Sequence, residues 1–97
     1  MKIAALAETH HLPIAPHDCT GPVNLFACLQ LCAAVPNAMI METVRGFCEG
    51  YYREVVAEPV PLREGRAILK FGPGLGATLR PEFLARPTTT RRTSERK

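Results

Sequence analysis

An α/β fold built on a parallel pair of strands is what this sequence predicts, on three observations. Leu12-Pro-Ile-Ala-Pro16 and Ala38-Met-Ile-Met41 are brief apolar runs, as expected of parallel strands covered on both faces. Val23 to Ala34, between them, reads as a helix whose only polar residues are Asn24 and Gln30. The runs lie about 25 residues apart, the length of a strand–helix–strand crossover.

The elements follow in order. Residues 2–11 (KIAALAETHH) place Ile3, Leu6 and Ala7 on one helical face. Met1 opens directly into that pattern with no capping residue ahead of it, which is expected of a chain that starts partway through an element. His10 and His11 read as the helix C-terminus, where imidazoles meet free carbonyls. Pro13 and Pro16 hold their predecessors extended. His17 to Pro22 is a polar loop, with Pro22 suited to the first turn of a helix and Asp18 to an Asx-turn or cap. A helix apolar on nearly every side, as 23–34 is, is expected to be buried.

The second half is less regular. Residues 43–50 read as irregular, with Gly46 and Gly50 as breakers. Residues 51–57 are compatible with strand or helix. Residues 58–65 read as loop, Ala67 to Phe71 as a short strand, Gly72 to Gly76 as a tight turn and Pro81 to Leu84 as a helical turn. From Arg86 the chain is polar, Thr-rich and unpatterned, the composition of a disordered tail.

Composition sets the outer bounds. At 97 residues the chain holds one small domain at most. The longest apolar stretch, Leu25 to Val35, is interrupted by Gln30 and too short for a bilayer, and no signal peptide is read at the start. A membrane role is excluded and a cytoplasmic location expected. Residues 1–85 carry seven basic and eight acidic side chains, whereas 86–97 carry five and one. The basic character therefore belongs to the tail, whose arginines lack interleaved aromatics, which argues against nucleic acid as a partner. Cys19, Cys28, Cys32 and Cys48 form no CxxC pair; buried reduced thiols are the simpler reading, and a zinc site using Cys28, Cys32 and a histidine the sharper one.

Chemistry in such a fold gathers at the carboxyl ends of the strands. His17 follows the first run and Glu42 the second, and a right-handed crossover puts both ends on one rim. The two can act there as an acid/base pair or as ligands. A surface or capping histidine and a solvated glutamate are the plainer alternatives. Gly74-Leu75-Gly76 lacks the context of a phosphate loop.

Three stretches carry a family resemblance: APHDCTGPV at 15–23, PNAMIMET at 36–43 and GRAILKFGPGLGATL at 65–79. With the segments around them they resemble the carboxyl-terminal part of enolase-superfamily enzymes of the mandelate racemase/muconate lactonizing group, and in particular galactonate-dehydratase-like acid-sugar dehydratases. The resemblance covers residues 1–85. It implies the carboxyl-terminal quarter of a modified (β/α)8 barrel. Residues 1–56 would be its last two strands with their helices, 57–85 a closing segment returning toward a capping domain, and 86–97 the basic tail.

By the same resemblance His17, at the end of the seventh strand, is the general acid/base that protonates the leaving β-hydroxyl. Glu42, at the end of the eighth, hydrogen-bonds the substrate carboxylate, and Asp18 receives no role. The substrate is a sugar acid and the cofactor Mg²⁺. The carboxylates that bind Mg²⁺, the second acid/base and the aspartate that orients the histidine belong to earlier strands that this chain lacks. A whole barrel takes roughly 250 residues, so the expectation is a carboxyl-terminal piece of a dehydratase, inactive alone. The alternatives are one chain of a split enzyme, or a standalone binding module using the basic tail or the Cys/His site. Which acid, dehydration as against racemisation or lactonization, and the oligomeric state are not legible.

Overall fold

The computed structural model describes residues 1–70 and 72–95. The order is α1 (Lys2–Thr9), β1 (His17–Asp18), α2 (Pro22–Ala34), β2 (Glu42–Thr43), α3 (Arg45–Glu49), α4 (Tyr52–Val55), β3 (Leu62–Arg63), β4 (Arg66–Ala67) and α5 (Pro81–Leu84). β1 and β2 pair in parallel, with His17 opposite Glu42 and Asp18 opposite Thr43.

The parallel pair predicted by the sequence is present, but its ladder sits later than the two apolar runs. Within the runs only Ile14 and Ala38 form a parallel bridge. Pro13 and Pro16 have no N–H to give, so the first run cannot support a continuous ladder. What remains is Ile14 N–H to Asn37 O at 2.8 Å, Met39 N–H to Ile14 O at 3.0 Å and Glu42 N–H to Pro16 O at 2.9 Å. Regular pairing begins one residue past the second proline.

α1 ends two residues earlier than predicted. His11 takes φ of +54°. Its N–H bonds Glu8 O at 2.9 Å and Leu12 N–H bonds Ala7 O at 2.9 Å, so the last carbonyls are capped by backbone donors rather than by imidazoles. Asn37 ties this corner to the sheet, its Nδ2 donating to Ala4 O at 3.0 Å and Leu12 O at 3.1 Å.

α2 is not buried all round. Pro22, Leu25 and Phe26 are buried, while Val23 is exposed. Leu25 packs with Cys48 and Tyr52, flanked by Leu29, Met41 and Val60. Phe26 packs with Val55 and Val56, flanked by Val60, Ala77 and Phe83. Ile3, Leu6, Met39 and Ile40 are exposed, so the second apolar run is not covered as a buried strand would be.

Segment 43–50, read as irregular, contains α3. Gly46 lies inside the helix with open space around it, whereas Gly50 terminates it with a backbone so close that a Cβ would sit 2.7 Å from Gly46 O. Residues 52–55 are helical. The stretch read as loop up to Gly65 holds β3, joined to β4 as an antiparallel hairpin. Glu64 and Gly65, both at positive φ (50° and 74°), form its two-residue turn, the geometry that matches strand twist. The strand expected from Ala67 to Phe71 ends at Ala67 in its described part; Phe71 lies outside the described residues.

Arg80 secures the end of α4. Its Nε donates to Arg53 O at 2.9 Å and Val56 O at 3.0 Å, satisfying carbonyls the helix leaves open. The tail begins with a turn. Thr89 N–H bonds Arg86 O at 2.9 Å, Thr89 Oγ1 donates to Phe83 O at 2.8 Å, and Arg86 pairs with Glu54 at 2.9 Å. Arg96 and Lys97 of that tail lie outside the described residues.

Asp18 is fully buried. Its Oδ1 accepts Asn24 Nδ2 at 2.9 Å and the N–H groups of Thr20 at 3.3 Å and Gly21 at 3.5 Å. Its Oδ2 accepts the Tyr52 hydroxyl at 2.7 Å. Burial by itself raises a carboxyl's pKa; here the four donors outweigh it and hold Asp18 below its ordinary value. Tyr52 is pushed up, by burial first and by its bond to Asp18 second.

Tyr52→Phe strips Oδ2 of its donor and is expected to lower stability by about 2 kcal/mol, as for a buried hydrogen bond to a charged group. Tyr51→Phe, which removes an exposed bond to Thr20 O at 3.2 Å, is expected to lower it by about 0.5 kcal/mol. Urea unfolding measures both. The pH dependence has two arms. Asp18, with a lowered folded value, contributes stability that is present above its ordinary 3.8 and lost as pH falls below it. Tyr52, with a raised folded value, contributes stability present below its ordinary 10.0 and lost as pH rises past it. Melting temperature against pH should show both losses, with the alkaline one reduced in Tyr52→Phe.

Candidate functional site at the strand rim

The two site residues singled out by the sequence are brought together. The register sets His17 opposite Glu42, and His17 Nδ1 lies 3.0 Å from Glu42 Oε2. Both side chains are open to solvent, at 46% and 73% exposure, so an incoming molecule can reach them. β1 presents His17 outward and Asp18 inward, as strand alternation requires. When Nδ1–H donates to Glu42, Nε2 is left to accept a proton, and the doubly protonated ring can give that proton back.

The surroundings come from three other elements. Cys28 Sγ, on α2, lies 3.9 Å from His17 O, a weak sulfur contact. Thr43 Oγ1, beside Glu42, is 3.5 Å from Cys48 Sγ on α3. Tyr51 and Tyr52 hold the loop that follows His17, through Thr20 O and Asp18 respectively. Phe47, Tyr51 and Tyr52 stack among themselves, the Tyr51 and Tyr52 rings edge-on with centroids 4.8 Å apart.

Tyr52 is the participant that sequence reasoning missed. Its segment was compatible with either strand or helix, so its face could not be assigned. A pair of adjacent tyrosines two residues past a short helix gives little warning that one of them reaches back 34 positions. The Asx-turn expected of Asp18 is present, in the bond from Thr20 N–H, with Asn24 and Tyr52 added to it.

The sharper cysteine reading fails. All four cysteines are free, and among the described residues no group of three or more His, Cys, Asp or Glu is gathered as a metal site. Burial pushes the Cys28 and Cys32 thiols up, with the charges of Asp18 and Cys32 adding to the effect at Cys28. Thiols held protonated are poor metal ligands. Mg²⁺ does not fit the carboxylates present either. Both oxygens of Asp18 are engaged by donors and closed to solvent, and Glu42 faces His17. A hard dication needs several free oxygens, so its ligands are not supplied by this rim. No helix among the described residues is long and apolar enough to cross a membrane.

Residues 1–83 match the family described as enolase C-terminal domain-like. The chain is 33% identical over 78 residues to a D-xylonate dehydratase of Haloferax volcanii, covering 80% of this chain and 19% of that protein. It is 31% identical over 88 residues to a D-galactonate dehydratase of Pectobacterium atrosepticum, covering 86% and 23%. Among solved structures, an enolase of the mandelate racemase subgroup from Agrobacterium tumefaciens superposes with a TM-score of 0.76 at 44% identity, over 84% of this chain and 22% of that one. A mandelate racemase/muconate lactonizing enzyme-like protein from Rubrobacter xylanophilus gives 0.70 at 37% identity, over 84% and 21%. The chain thus spans about a fifth of the length of these relatives. With residues 1–83 matched to its model and these solved structures sharing its fold, the chain belongs to the enolase C-terminal domain-like family, in the mandelate racemase group of the enolase superfamily.

Proposed function

We propose that this chain carries the general-acid side of an acid-sugar dehydratase site, with His17 and Glu42 as its working pair. The single observation that carries this reading is the 3.0 Å contact between His17 Nδ1 and Glu42 Oε2, the solvent-exposed pair that opens the β1–β2 ladder just past the two apolar runs. The dehydratase relatives support the reaction class.

Dehydration of an aldonate removes the proton α to the carboxylate and the hydroxyl on the next carbon, and leaves an enol that tautomerises to a 2-keto-3-deoxy acid. Hydroxide is a poor leaving group, so the C–O bond breaks as a proton is delivered to its oxygen. His17 is placed to deliver it from Nε2 when both ring nitrogens carry protons: Nδ1–H stays on Glu42, the Nε2 proton leaves with the hydroxyl as water, and the ring is left in its neutral Nδ1–H form. In its protonated form Glu42 has a second task open to it. Oε2 accepts from His17 Nδ1–H while the other oxygen donates its proton to the substrate carboxylate, which gains charge as the α-proton leaves. Abstraction of that proton and ligation of Mg²⁺ are assigned to residues outside this chain, since its own carboxylates do not fit the metal.

The experiment is complementation. D-Galactonate, D-gluconate and D-xylonate are offered, with Mg²⁺, to the 97-residue chain alone and to the chain co-expressed with the preceding portion of a relative such as the Pectobacterium enzyme. No 2-keto-3-deoxy acid is expected from the chain alone. Turnover is expected in the pair, lowered by His17→Ala by about 10²–10⁴-fold, the worth of a positioned proton donor. Turnover by the chain alone, or restored turnover indifferent to His17→Ala, overturns the reading.

Glu42 separates its two tasks by substitution. Glu42→Gln keeps both an acceptor for Nδ1 and a donor for the carboxylate, and is expected to retain kcat within about tenfold. Glu42→Ala loses both and is expected to fall about 10²–10³-fold. Steady-state kinetics on the complemented pair distinguishes them.

A further inference from the structure

The hydroxyls of two consecutive residues close on the loop that follows His17. Tyr52 reaches Asp18 Oδ2 at 2.7 Å, and Tyr51 reaches Thr20 O at 3.2 Å. The two bonds differ in kind. Tyr51 is 40% exposed and donates to a loop carbonyl, whereas Tyr52 and Asp18 are 1% and 0% exposed and meet inside the structure. Asp18 also takes Asn24 Nδ2 at 2.9 Å from α2 and two N–H groups from its own loop. One carboxylate therefore joins β1, α2 and α4, and it belongs to the residue next to His17 in β1.

Geometry links that anchor to the imidazole. Adjacent side chains in a strand leave on opposite faces of a shared, nearly planar peptide. A side chain fixed by four hydrogen bonds fixes the plane on its N-terminal side, and with it the direction in which His17 departs. Among the described residues, two further contacts bear on His17. Glu42 on β2 meets Nδ1, and the contact of Cys28 Sγ with His17 O is long for a hydrogen bond.

We propose that Asp18 and Tyr52 are positioning residues for His17, their buried hydrogen bond aiming the strand end so that Nδ1 meets Glu42 and Nε2 faces outward. The inference rests on the reading of His17 and Glu42 as the acid pair. It assigns work to a tyrosine more than thirty positions away in the chain and to a carboxylate that no substrate can reach.

The test reads the imidazole tautomer by ¹⁵N NMR on the full 97-residue chain, at a pH about two units above the ordinary imidazole value. The wild type should hold His17 mainly as the Nδ1–H form. Tyr52→Phe should lower the ratio of Nδ1–H to Nε2–H about fivefold, the factor carried by one net hydrogen bond. Tyr51→Phe, which loosens the same loop from its exposed side, should leave the ratio in place. Should Tyr52→Phe fail to fold, Asn24→Ala removes a single donor from Asp18 and should lower the ratio about twofold. An unchanged ratio in a folded Tyr52→Phe or Asn24→Ala chain overturns the proposal, as does an equal fall in Tyr51→Phe. Glu42→Ala reports separately on the pair. If that substitution leaves the ratio where it was, the acid-pair reading fails at Glu42, independently of what Tyr52 does.

Discussion

Asp18 lies in a place that a lone carboxylate could not occupy. Taking an ionised group out of water costs several kcal/mol unless donors replace the lost hydration. The replacement here comes from three directions: the turn at Thr20 and Gly21, Asn24 in the first turn of α2, and Tyr52 of α4. Each donor is useful only if its own element is in position. The turn must form, α2 must start near Pro22, and α4 must fold back on β1 before the carboxylate is satisfied. A charge that needs all of them at once makes their arrangement cooperative, in a chain whose apolar core is otherwise two small clusters.

Those parts of the chain whose structure is decided locally were legible from the sequence. The βαβ order follows from two apolar runs and an apolar helix, and the shared rim of His17 and Glu42 follows from the handedness of the crossover. Pro22 and Pro81 mark helix starts that the structure places at those residues. Features decided by distant partners were not legible. Whether 51–57 is helix or strand depends on what Tyr52 and Val55 pack against, which no local pattern reveals. The β3–β4 hairpin hides in a polar stretch because its strands are two residues long, too short for alternation to register. The Glu64-Gly65 pair was the available signal, since glycine in a two-residue turn favours the positive φ that hairpins need.

The site divides in the same way. The two side chains proposed to handle protons lie on one short ladder, 25 positions apart, and strand-end reasoning brings them together. Its support lies across the chain. α4 reaches the rim through Tyr52, Arg80 holds the end of α4, and Arg86 meets Glu54 on the same helix. The segment after residue 57 carries neither His17 nor Glu42, yet it buttresses the helix whose Tyr52 meets Asp18.

Val60 has a consequence of a different kind. It touches the Leu25 cluster and the Phe26 cluster together, and it stands between Pro59 and Pro61, whose rings leave the backbone little freedom. Leu25 and Phe26 are neighbours on α2, about 100° apart around its axis. If α2 were to roll, one of the two would press toward Val60 as the other drew away. Val60, flanked by two residues of fixed φ, resists that roll from both sides. Asn24, one residue before Leu25, rides on the same helix, so the stiffness is passed on to the amide that grips Asp18.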